Sequence, residues 1–588
     1  MFRQLQPLFP YMHRYRRSYF WGGVSVVLSN LIWIFFPQVI RAAIDDLNAG
    51  VTEKKIWLYA SLLIAVSIAK GIFLFLTRWI IIGISREIEF DLRNDLFLQL
   101  EKQSAIYYQQ HRTGDIMARM TNDLNAVRML LGPAIMYSAN TVLFSIGALF
   151  FLLKISPFLT LVALVPLPLA SILVQAMGRK IHERFERIQS MFSDISAQAQ
   201  ENFSGARLVR AFAQEDAQIA AFEKSNREYI RRGLRLVQLM GMLWPTLEFV
   251  LGLAMAISLL VGGHEVLSHQ ISVGDFVAFN TYMLLLTWPV IALGWVVNLF
   301  QRGTASIGRI DELLKAKPTI DDRNANPIIS TDFKLRGEIE FCDLTFSYSQ
   351  GDRNETEVLR QVSLKIPAGT SLALVGPTGS GKTTLVNLIA RVYDAPPGTV
   401  LMDGRPIREY PLEVLRSNIG FVPQETFLFS ESIRGNIAFG VPHATHEEVL
   451  RAAEAAHIRK EFEEFPSGFE TMVGERGLTL SGGQKQRSAL ARAILRNPRI
   501  LILDDSLASV DTYTEERILE ELRSIMQDRT TILISHRIST VRHADQIAVL
   551  INGRIAELGT HDDLLARNGH YANLFQKQLL EEELSVTR

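Results

Sequence analysis

The stretch Gly376-Pro-Thr-Gly-Ser-Gly-Lys-Thr383 decides the fold of the second half of this chain. It has the pattern G-x-x-x-x-G-K-[ST], and it lies between the apolar run Ser371–Val375 and the helix-forming segment Thr384–Arg391. A strand, a glycine-rich loop and a helix in this order form a phosphate-binding loop, because backbone N–H groups and the helix N-terminus converge on phosphate. A chance glycine-rich turn would not account for both neighbours. The stretch therefore predicts an α/β domain that binds a nucleotide.

Individual side chains of this loop have expected contacts. Lys382 is expected to reach the β- and γ-phosphates, and Thr383 to bind Mg²⁺. A second apolar run, Ile500–Leu503, ends in Asp504 and Asp505. An acid at the tip of a buried strand commonly completes such a site, so Asp504 is expected to hold Mg²⁺ directly or through water. The loop residues expected to contact the nucleotide are Gly376, Pro377, Thr378, Gly379, Ser380, Gly381, Lys382, Thr383 and Thr384.

The composition indicates an apolar part joined to a polar part. The chain has 588 residues, enough for two or more domains. Its mean hydropathy is +0.14, with 48% apolar and 21% charged residues. The formal net charge is zero, so no basic field attracts nucleic acid and no nucleic-acid partner is expected. The single cysteine, Cys342, excludes an intrachain disulfide and a cysteine-built metal site, and the histidines show no metal-binding spacing.

Long apolar runs recur through the first 300 or so residues. Each has at least roughly 20 residues, enough to cross a bilayer as a helix. The first run is too long for a signal-peptide core and is expected to stay in the protein. Six spans place both termini on the same side. They are predicted at 19–40, 57–84, 131–153, 157–177, 239–262 and 275–299.

The loops between the spans predict the orientation. Loops 85–130 and 178–238 are rich in arginine and lysine, whereas 41–56, 154–156 and 263–274 are short and poor in them. The positive-inside bias places both termini and both long loops in the cytoplasm. The long loops contain few glycines or prolines, which predicts helices that continue out of the membrane. A multi-pass protein of the cytoplasmic (inner) membrane is expected.

The long apolar runs end at about residue 303, and a mostly polar segment and then alternating strand-like and helical patterns follow. A transmembrane domain is predicted over 1–310, a linker over 311–337, an α/β domain over 338–578 and a tail over 579–588. In the α/β domain, short strand-like runs alternate with helical patterns. Besides the two runs already named, strands are predicted at Ile339–Phe341, Ile419–Val422, Thr531–Ile534 and Gln546–Ile551.

The segment Leu480-Ser-Gly-Gly-Gln-Lys-Gln-Arg487 resembles the signature sequence of ABC transporters. Other elements follow in that family's order: Tyr348 resembles the aromatic that stacks on adenine, Gln424 the Q-loop and His536 the switch histidine. Asp511 resembles the D-loop aspartate, and 471–477 an exporter-type loop. Segments 108–123 and 201–215 resemble the two intracellular loops of ABC exporters.

The resemblance covers nearly the whole chain and implies a half-transporter. The implied fold is an all-α six-helix transmembrane exporter domain followed by a soluble α/β P-loop ATPase domain. The implied cofactors are ATP and Mg²⁺, with Gln424 both a metal ligand and a catalytic residue, and with Asp505 and His536 also catalytic. Ser481, Gly482, Gly483 and Gln484 would contact ATP held by another cassette, so a second half-transporter is the expected partner.

The segment that follows Asp504 departs from the family pattern. Asp505 stands where the family has the glutamate that acts as general base, and 506–511 differ as well. A carboxylate misplaced by about 1 Å can lose a hundredfold in rate. A tolerated conservative swap is the alternative. Because the signature is intact, the chain resembles the degenerate-site subunit of bacterial heterodimeric multidrug ABC exporters. Lys382, Asp504, Asp505 and His536 would then line a slow site, and Ser481 and Gly483 would complete the partner's fast site.

The expected function is ATP-dependent efflux of hydrophobic or amphipathic compounds, with drugs as substrates and membrane lipid around the protein. The alternatives are a lipid flippase, a peptide exporter, or a homodimeric pump in which Asp505 is the base. A non-transporting ATPase or a channel subunit is the alternative from another class. The substrate path is expected among polar residues of the spans, although snorkelling or helix–helix contacts would also explain them. These residues are Lys70, Arg78, Glu248, Asn280, Thr281 and Thr287, with Glu248 the first candidate for contact with cationic compounds.

Overall fold

The computed structural model divides the chain into two compact units. The first comprises Met1–Glu101 and Thr113–Ala316, and the second comprises Lys102–Arg112 and Lys317–Arg588. The structure describes residues 5–330, 333–348, 356–474, 477, 479–508 and 512–586. The segment Lys102–Arg112 thus belongs with the second unit, although it lies in the loop 85–130 that is predicted as part of the transmembrane domain 1–310.

The described part of the first unit is helical. Helix α5 (Thr113–Ile155) contains two π-helical turns, Arg119–Asp123 and Leu130–Ala134, and the second of these includes Pro133. Proline lacks an N–H and so disturbs the helical hydrogen-bond ladder. The helices are α1 (Phe9–Arg14), α2 (Arg16–Asn48), α3 (Glu53–Glu101), α4 (Ala105–Gln110, in the second unit), α5 (Thr113–Ile155), α6 (Pro157–Leu164), α7 (Pro166–Ser204), α8 (Ala206–Ala211), α9 (Glu215–Leu267) and α10 (Val273–Lys315).

Five helices of the described chain, α2, α3, α5, α9 and α10, are long and apolar enough to cross a membrane. The fourth predicted span, 157–177, is not among them, because it is divided between α6 and α7 at Val165. Pro166 has no N–H to continue the ladder from α6. The prediction that the long loops continue as helices is confirmed, since α3 runs to Glu101 and α7 to Ser204.

The described strands of the second unit form two sheets. The smaller sheet has the order β2-β1-β4-β5 and is antiparallel, and the larger has the order β10-β9-β3-β8-β7-β6. The strands are β1 (Ile339–Tyr348), β2 (Thr356–Ile366), β3 (Ser371–Val375), β4 (Val400–Met402), β5 (Arg405–Pro406), β6 (Ile419–Val422), β7 (Ile500–Asp504), β8 (Thr530–Ile534), β9 (Gln546–Ile551) and β10 (Arg554–Gly559).

The larger sheet is parallel from β9 to β6, and only β10 pairs antiparallel. In its register Leu374 and Asp504 both lie opposite Ile534. The carboxyl ends of β3, β8 and β7 therefore meet at one edge, which is where open α/β sheets bind ligands. The near-continuous apolar burial of these strands agrees with a parallel sheet covered on both faces.

Helices surround these sheets, and two predicted boundaries change. The predicted linker over 311–337 begins inside α10, which runs to Lys315, and the predicted tail over 579–588 begins inside the last helix. The helices are α11 (Lys382–Ile389), α12 (Leu412–Ser417), α13 (Ile433–Ala438), α14 (His446–Ala455), α15 (Arg459–Glu463), α16 (Gly482–Leu495), α17 (Thr512–Met526), α18 (Ile538–Val541), α19 (His561–Ala566) and α20 (His570–Val586).

Helix α4 packs on the α/β domain inside the second unit. Ala105 and Ile106 contact the buried core that includes the inner residues of β1 and β2. The Gln109 side chain donates a hydrogen bond to the Tyr393 hydroxyl at 2.7 Å. This packing explains why Lys102–Arg112 groups with the second unit.

Thr530 joins three segments of the α/β domain. Its hydroxyl is fully buried, donates to the Gly337 carbonyl at 2.7 Å and accepts from the Gly369 N–H at 3.0 Å. The substitution Thr530→Val keeps the shape and removes both hydrogen bonds. Because buried unpaired groups cost free energy, we expect a loss of about 2–3 kcal/mol in stability, measured as a lower unfolding midpoint of the full-length chain in detergent.

The control for this substitution is Thr399→Val. Thr399 makes one local hydrogen bond to the Pro396 carbonyl at an exposed turn. Its loss is expected to change stability by less than about 0.5 kcal/mol. Equal midpoints for the two variants would contradict the proposed role of Thr530.

Candidate nucleotide-binding site

A cavity of about 170 Å³ lies at the carboxyl edge of the larger sheet. Four of the parallel strands each bring one group of residues there: β3 leads into the glycine-rich loop, β6 into Gln424, β7 into Asp504 and Asp505, and β8 into His536. The structure thus brings together most of the residues that the sequence predicts for the site. The cavity is lined by Val358, Thr378, Gly379, Ser380, Gly381, Lys382, Thr383, Thr384, Gln424, Asp504, Asp505, Ile534 and His536.

Two positions of the loop require glycine. A Cβ at Gly376 would lie 2.2 Å from the Leu550 carbonyl oxygen, which is backbone and cannot move aside. Gly381 has φ +102°, in the left-handed region that side chains disfavour, and it is the N-cap of α11. These constraints hold the loop around the start of α11, where unpaired N–H groups and the helix dipole favour an anion.

Lys382 is 7% exposed and lies within the loop. Its ammonium donates to the carbonyls of Gly376 at 2.8 Å and Pro377 at 2.9 Å. Burial lowers the pKa of this lysine, while the neighbouring Asp504 and Asp505 act in the opposite direction. A buried lysine thus lines the cavity.

Asp504 is 1% exposed, and burial raises its pKa. The nearby Thr383 side chain and Lys382 lower it. Even so, neither carboxylate oxygen completes a hydrogen bond with a described residue. A buried carboxylate is costly without a partner. A Mg²⁺ ion, which prefers one or two carboxylates together with phosphate oxygens, would supply that partner, so the residues present fit this metal.

Asp505 has an unusual backbone conformation. Its φ is +48°, and its N–H donates to the Ile534 carbonyl at 2.8 Å. Aspartate and asparagine tolerate the left-handed region better than most side chains. Asp505 and His536 also line a second cavity, of about 100 Å³, together with Glu515. The side chain of Asp505 therefore stands between the two cavities.

Tyr348 lies near the loop but does not line the cavity. Its hydroxyl is 2.9 Å from the Thr384 hydroxyl, and its ring packs edge-to-face on Tyr393 at 5.1 Å between centroids. Sequence reasoning missed Tyr393, which joins Tyr348 to Gln109 of α4. It also missed Glu515, which is 2% exposed and hydrogen-bonded to Thr540 at 2.5 Å. No local pattern marks either residue, because both depend on contacts distant in sequence.

The signature residues form the start of α16. The Ser481 hydroxyl accepts from the Gln484 N–H at 3.2 Å, and the Gln484 side chain accepts from the Ser481 N–H at 3.0 Å, a capping box. Arg487 pairs with Glu461 at 2.6 Å and fixes this helix to α15. Ser481 and Gly482 are exposed, and none of the residues 481–484 lines the cavity described above. Asp511 and parts of the loop 471–477 lie outside the described residues.

Comparison with known proteins places this site in a family. The ABC transporter transmembrane region matches residues 19–290, and the ABC transporter domain matches residues 359–508. The chain is 36% identical to a probable multidrug resistance ABC transporter ATP-binding/permease protein of Bacillus subtilis, over 99% of this chain and 98% of that relative. The chain belongs to the ABC transporter family. The ATPase domain of this exporter follows its helical transmembrane domain in the same polypeptide.

Two further relatives and one solved structure are also similar to this ABC exporter. It is 33% identical to the multidrug resistance-like ATP-binding protein MdlA of Escherichia coli, over 98% of this chain and 96% of MdlA. It is 34% identical to an ATP-dependent lipid A-core flippase of Syntrophus aciditrophicus, over 95% and 92%. A bacterial Atm1-family ABC exporter with ATP bound matches with a TM-score of 0.76 and 28% identity, over 96% and 98%. The exporter is therefore an ABC-type ATPase that binds ATP.

The polar residues of the spans have different surroundings. Asn280, Thr281 and Thr287 donate to backbone carbonyls four residues earlier on α10. Lys70 and Arg78 line a cavity in the first unit, and Glu248 does not line it.

The unpartnered carboxylate of Asp504 leads to a test. Because burial raises its pKa, the ionised form opposes folding above the ordinary carboxyl pKa. We expect Asp504→Asn to raise the unfolding midpoint of the nucleotide-free exporter at pH 7 by about 2–4 °C. The gain should shrink as the pH falls, since the wild-type carboxyl then takes up a proton. Addition of Mg-ATP should raise the wild-type midpoint and leave the variant nearly unchanged.

Asp403→Asn is the matched control. The Asp403 carboxylate accepts three backbone hydrogen bonds, from Arg336, Gly337 and Glu338, at 2.7 to 3.0 Å. Removing this charge should lower the midpoint. A lower midpoint for Asp504→Asn as well would show that Asp504 is satisfied without a metal.

Proposed function

We propose that the chain performs ATP-dependent efflux of hydrophobic or amphipathic compounds as one subunit of a heterodimeric exporter with one degenerate ATP site. The observation that carries the proposal is Asp505, which stands next to a complete phosphate loop while the signature Ser481–Gln484 is intact. The family supports the exporter activity, and the multidrug names of the relatives support the substrate class.

The residues of the cavity have separate proposed roles. The loop 376–384 binds the triphosphate, with Lys382 on its outer oxygens, and Tyr348 stacks on adenine. Thr383, Gln424 and Asp504 hold Mg²⁺, which when bound neutralises charge on the phosphates. His536, at the end of β8, contacts the γ-phosphate side of the site. These roles follow from the common edge where the four strands end.

Asp505 is proposed to bind the attacking water poorly. Its side chain is one methylene shorter than glutamate, so its carboxylate stops short of the position that a base must occupy. Its left-handed backbone also suits aspartate. The combination favours retention of ATP over rapid hydrolysis at this site.

The signature is proposed to act on the partner's ATP. Ser481 and the first N–H groups of α16 are not part of the chain's own cavity lining, and they offer donors at a helix start. A second half-transporter with glutamate after its Mg²⁺ aspartate would complete both sites. Both termini and both ATPase domains would then lie in the cytoplasm, on the inner face of the cytoplasmic membrane.

A lipid flippase is the second candidate function. The observation that favours it is the similarity, over 95% of this chain, to a relative described as a lipid A-core flippase. Movement of a labelled lipid between leaflets of proteoliposomes, without efflux of dyes, would favour this candidate.

The chain purified alone is expected to hydrolyse ATP slowly. The substitution Asp505→Glu should raise this rate at least about tenfold, because the longer side chain reaches the water. Phosphate release from the chain in proteoliposomes measures both rates. Vigorous turnover by the unmodified chain, abolished by Asp505→Ala, would instead identify Asp505 as a working base in a homodimer.

The signature can be tested in the assembled pair. We expect Ser481→Asp to lower ATP hydrolysis at least about tenfold when the chain is co-expressed with a glutamate-bearing half-transporter from the same genome. Aspartate caps a helix as well as serine does, so α16 should keep its start while the added charge repels phosphate.

The matched control for the signature is Ser488→Ala. Ser488 lies on the same helix, and its hydroxyl donates to the Gln484 carbonyl. We expect the pair with this variant to keep most of its activity. Full activity of the Ser481→Asp pair would exclude the signature from the working site.

A further inference from the structure

The first unit contains a cavity of about 340 Å³ between α2, α3, α5 and α10. These four helices are all among those long and apolar enough to cross a membrane. All of the residues that line it belong to this chain. It is lined by Ser29, Asn30, Trp33, Lys70, Leu74, Arg78, Tyr137, Asn140, Thr141, Phe144, Leu285, Trp288, Pro289 and Ala292.

The charge of the cavity lining is positive only. Lys70 and Arg78 contribute two cations, and no aspartate or glutamate is among the lining residues. Within the described residues, neither cation has a carboxylate within ion-pair distance. Cations within an apolar span are costly and mark the path of a substrate or ion. The missing counter-charge therefore points to an anionic ligand.

Trp33 holds Lys70 without neutralising it. The Lys70 nitrogen lies 3.2 Å from the centroid of the indole ring, and that ring stacks on Phe36 with centroids 4.6 Å apart. A cation–π contact partly compensates for lost hydration but leaves the positive charge in place. The ammonium is thus positioned at the cavity wall and can still donate to an oxyanion.

Lys70 and Arg78 are separated along one helix. They lie eight residues apart on α3, or about 12 Å along its axis, and Leu74 between them also lines the cavity. The spacing suits a ligand with an anionic head at one cation and an apolar body along Leu74, or a ligand with two anionic groups.

The remaining lining suits an apolar or aromatic body. Trp33, Tyr137, Phe144 and Trp288 provide aromatic surface, and the Tyr137 ring packs edge-to-face on Trp295. The Asn30 amide donates to the Asn140 side chain at 2.7 Å, which joins α2 to α5 beside the cavity. Large apolar surface with a few placed polar groups is typical of small-molecule sites.

We propose that this cavity binds anionic amphipaths, with an apolar or aromatic body and a carboxylate, sulfonate or phosphate group. Lys70 binds the anionic group, and Arg78 binds a second one or attracts it from the other end of the cavity. The role in transport rests on the proposed efflux function, whereas the binding itself does not. The preference reverses the expectation of cationic compounds that Glu248 suggested.

The test is equilibrium binding to the full-length chain in phosphatidylcholine nanodiscs, without nucleotide. The probes are dansylaminoundecanoic acid and its methyl ester, which differ in charge and share the same body, and dansyl fluorescence reports binding. We expect the acid to bind at least about tenfold more tightly than the ester. Lys70→Gln should weaken binding of the acid about tenfold, the loss of one charge-assisted contact, whereas Arg78→Gln should weaken it less, because the acid has a single anionic group.

Three controls keep the result interpretable. Lys70→Arg retains the charge and should keep most of the affinity for the acid. Lys154→Gln removes an exposed lysine near the end of α5 that does not line the cavity, and it should have no effect. Unchanged binding of the ester by Lys70→Gln shows that the variant is folded.

The outcomes separate this proposal from the proposed function. Equal affinities for acid and ester, or unchanged affinity for the acid in Lys70→Gln, would overturn it, whatever the ATPase measurements show. Nanodiscs that contain phosphatidylglycerol identify the source of the anion. Competition by this lipid would support the cavity as a site for lipid phosphate, and absence of competition would support free amphipaths.

Discussion

The parallel pairing of β3, β8, β7 and β6 is the interaction on which the nucleotide site depends. Parallel strands end at the same edge, so four segments that are up to 160 or so residues apart in the chain deliver their next residues to one cavity. The buried apolar side chains of the strands hold this register, since a shift by one residue would move each side chain to the other face. The phosphate loop, Asp504 and His536 are thus positioned by the same sheet.

The site retains groups that oppose folding. Lys382 is buried with its charge, and Asp504 is buried with no hydrogen bond from a described residue to its carboxylate. Such groups are costly without a ligand, and they are typical of sites that a charged ligand completes. The first unit also contains charged groups without a described counter-charge. Lys70 and Arg78 line a cavity in an apolar span, and no described carboxylate lines it. In both units, a charge that the fold does not pair is available for a ligand.

Several parts of this arrangement could be predicted from the sequence. The strands β3, β6 and β9 have the predicted bounds, because short apolar runs flanked by glycine or turn residues indicate buried strands. The phosphate loop could be predicted because its chemistry is local. The fourth span was less predictable. Hydropathy measures only how apolar a segment is, so it does not show that Pro166 ends one helix and begins another at Val165. The grouping of Lys102–Arg112 with the α/β domain was also missed, because it depends on contacts with residues such as Tyr393.

The sequence by itself determined the kinds of site that this protein carries. Local motifs specify a phosphate loop, a signature helix with its serine cap, and an aspartate at the base position. Only the tertiary structure decided which side chains meet. Among the described residues, it left the Asp504 carboxylate without a hydrogen bond and placed Lys70 against Trp33 beside a cavity lined by no acid. It also set the left-handed backbone of Asp505 and kept the signature out of the chain's own cavity lining. Local motifs depend on neighbours in the chain, whereas burial and charge pairing depend on residues that folding brings together.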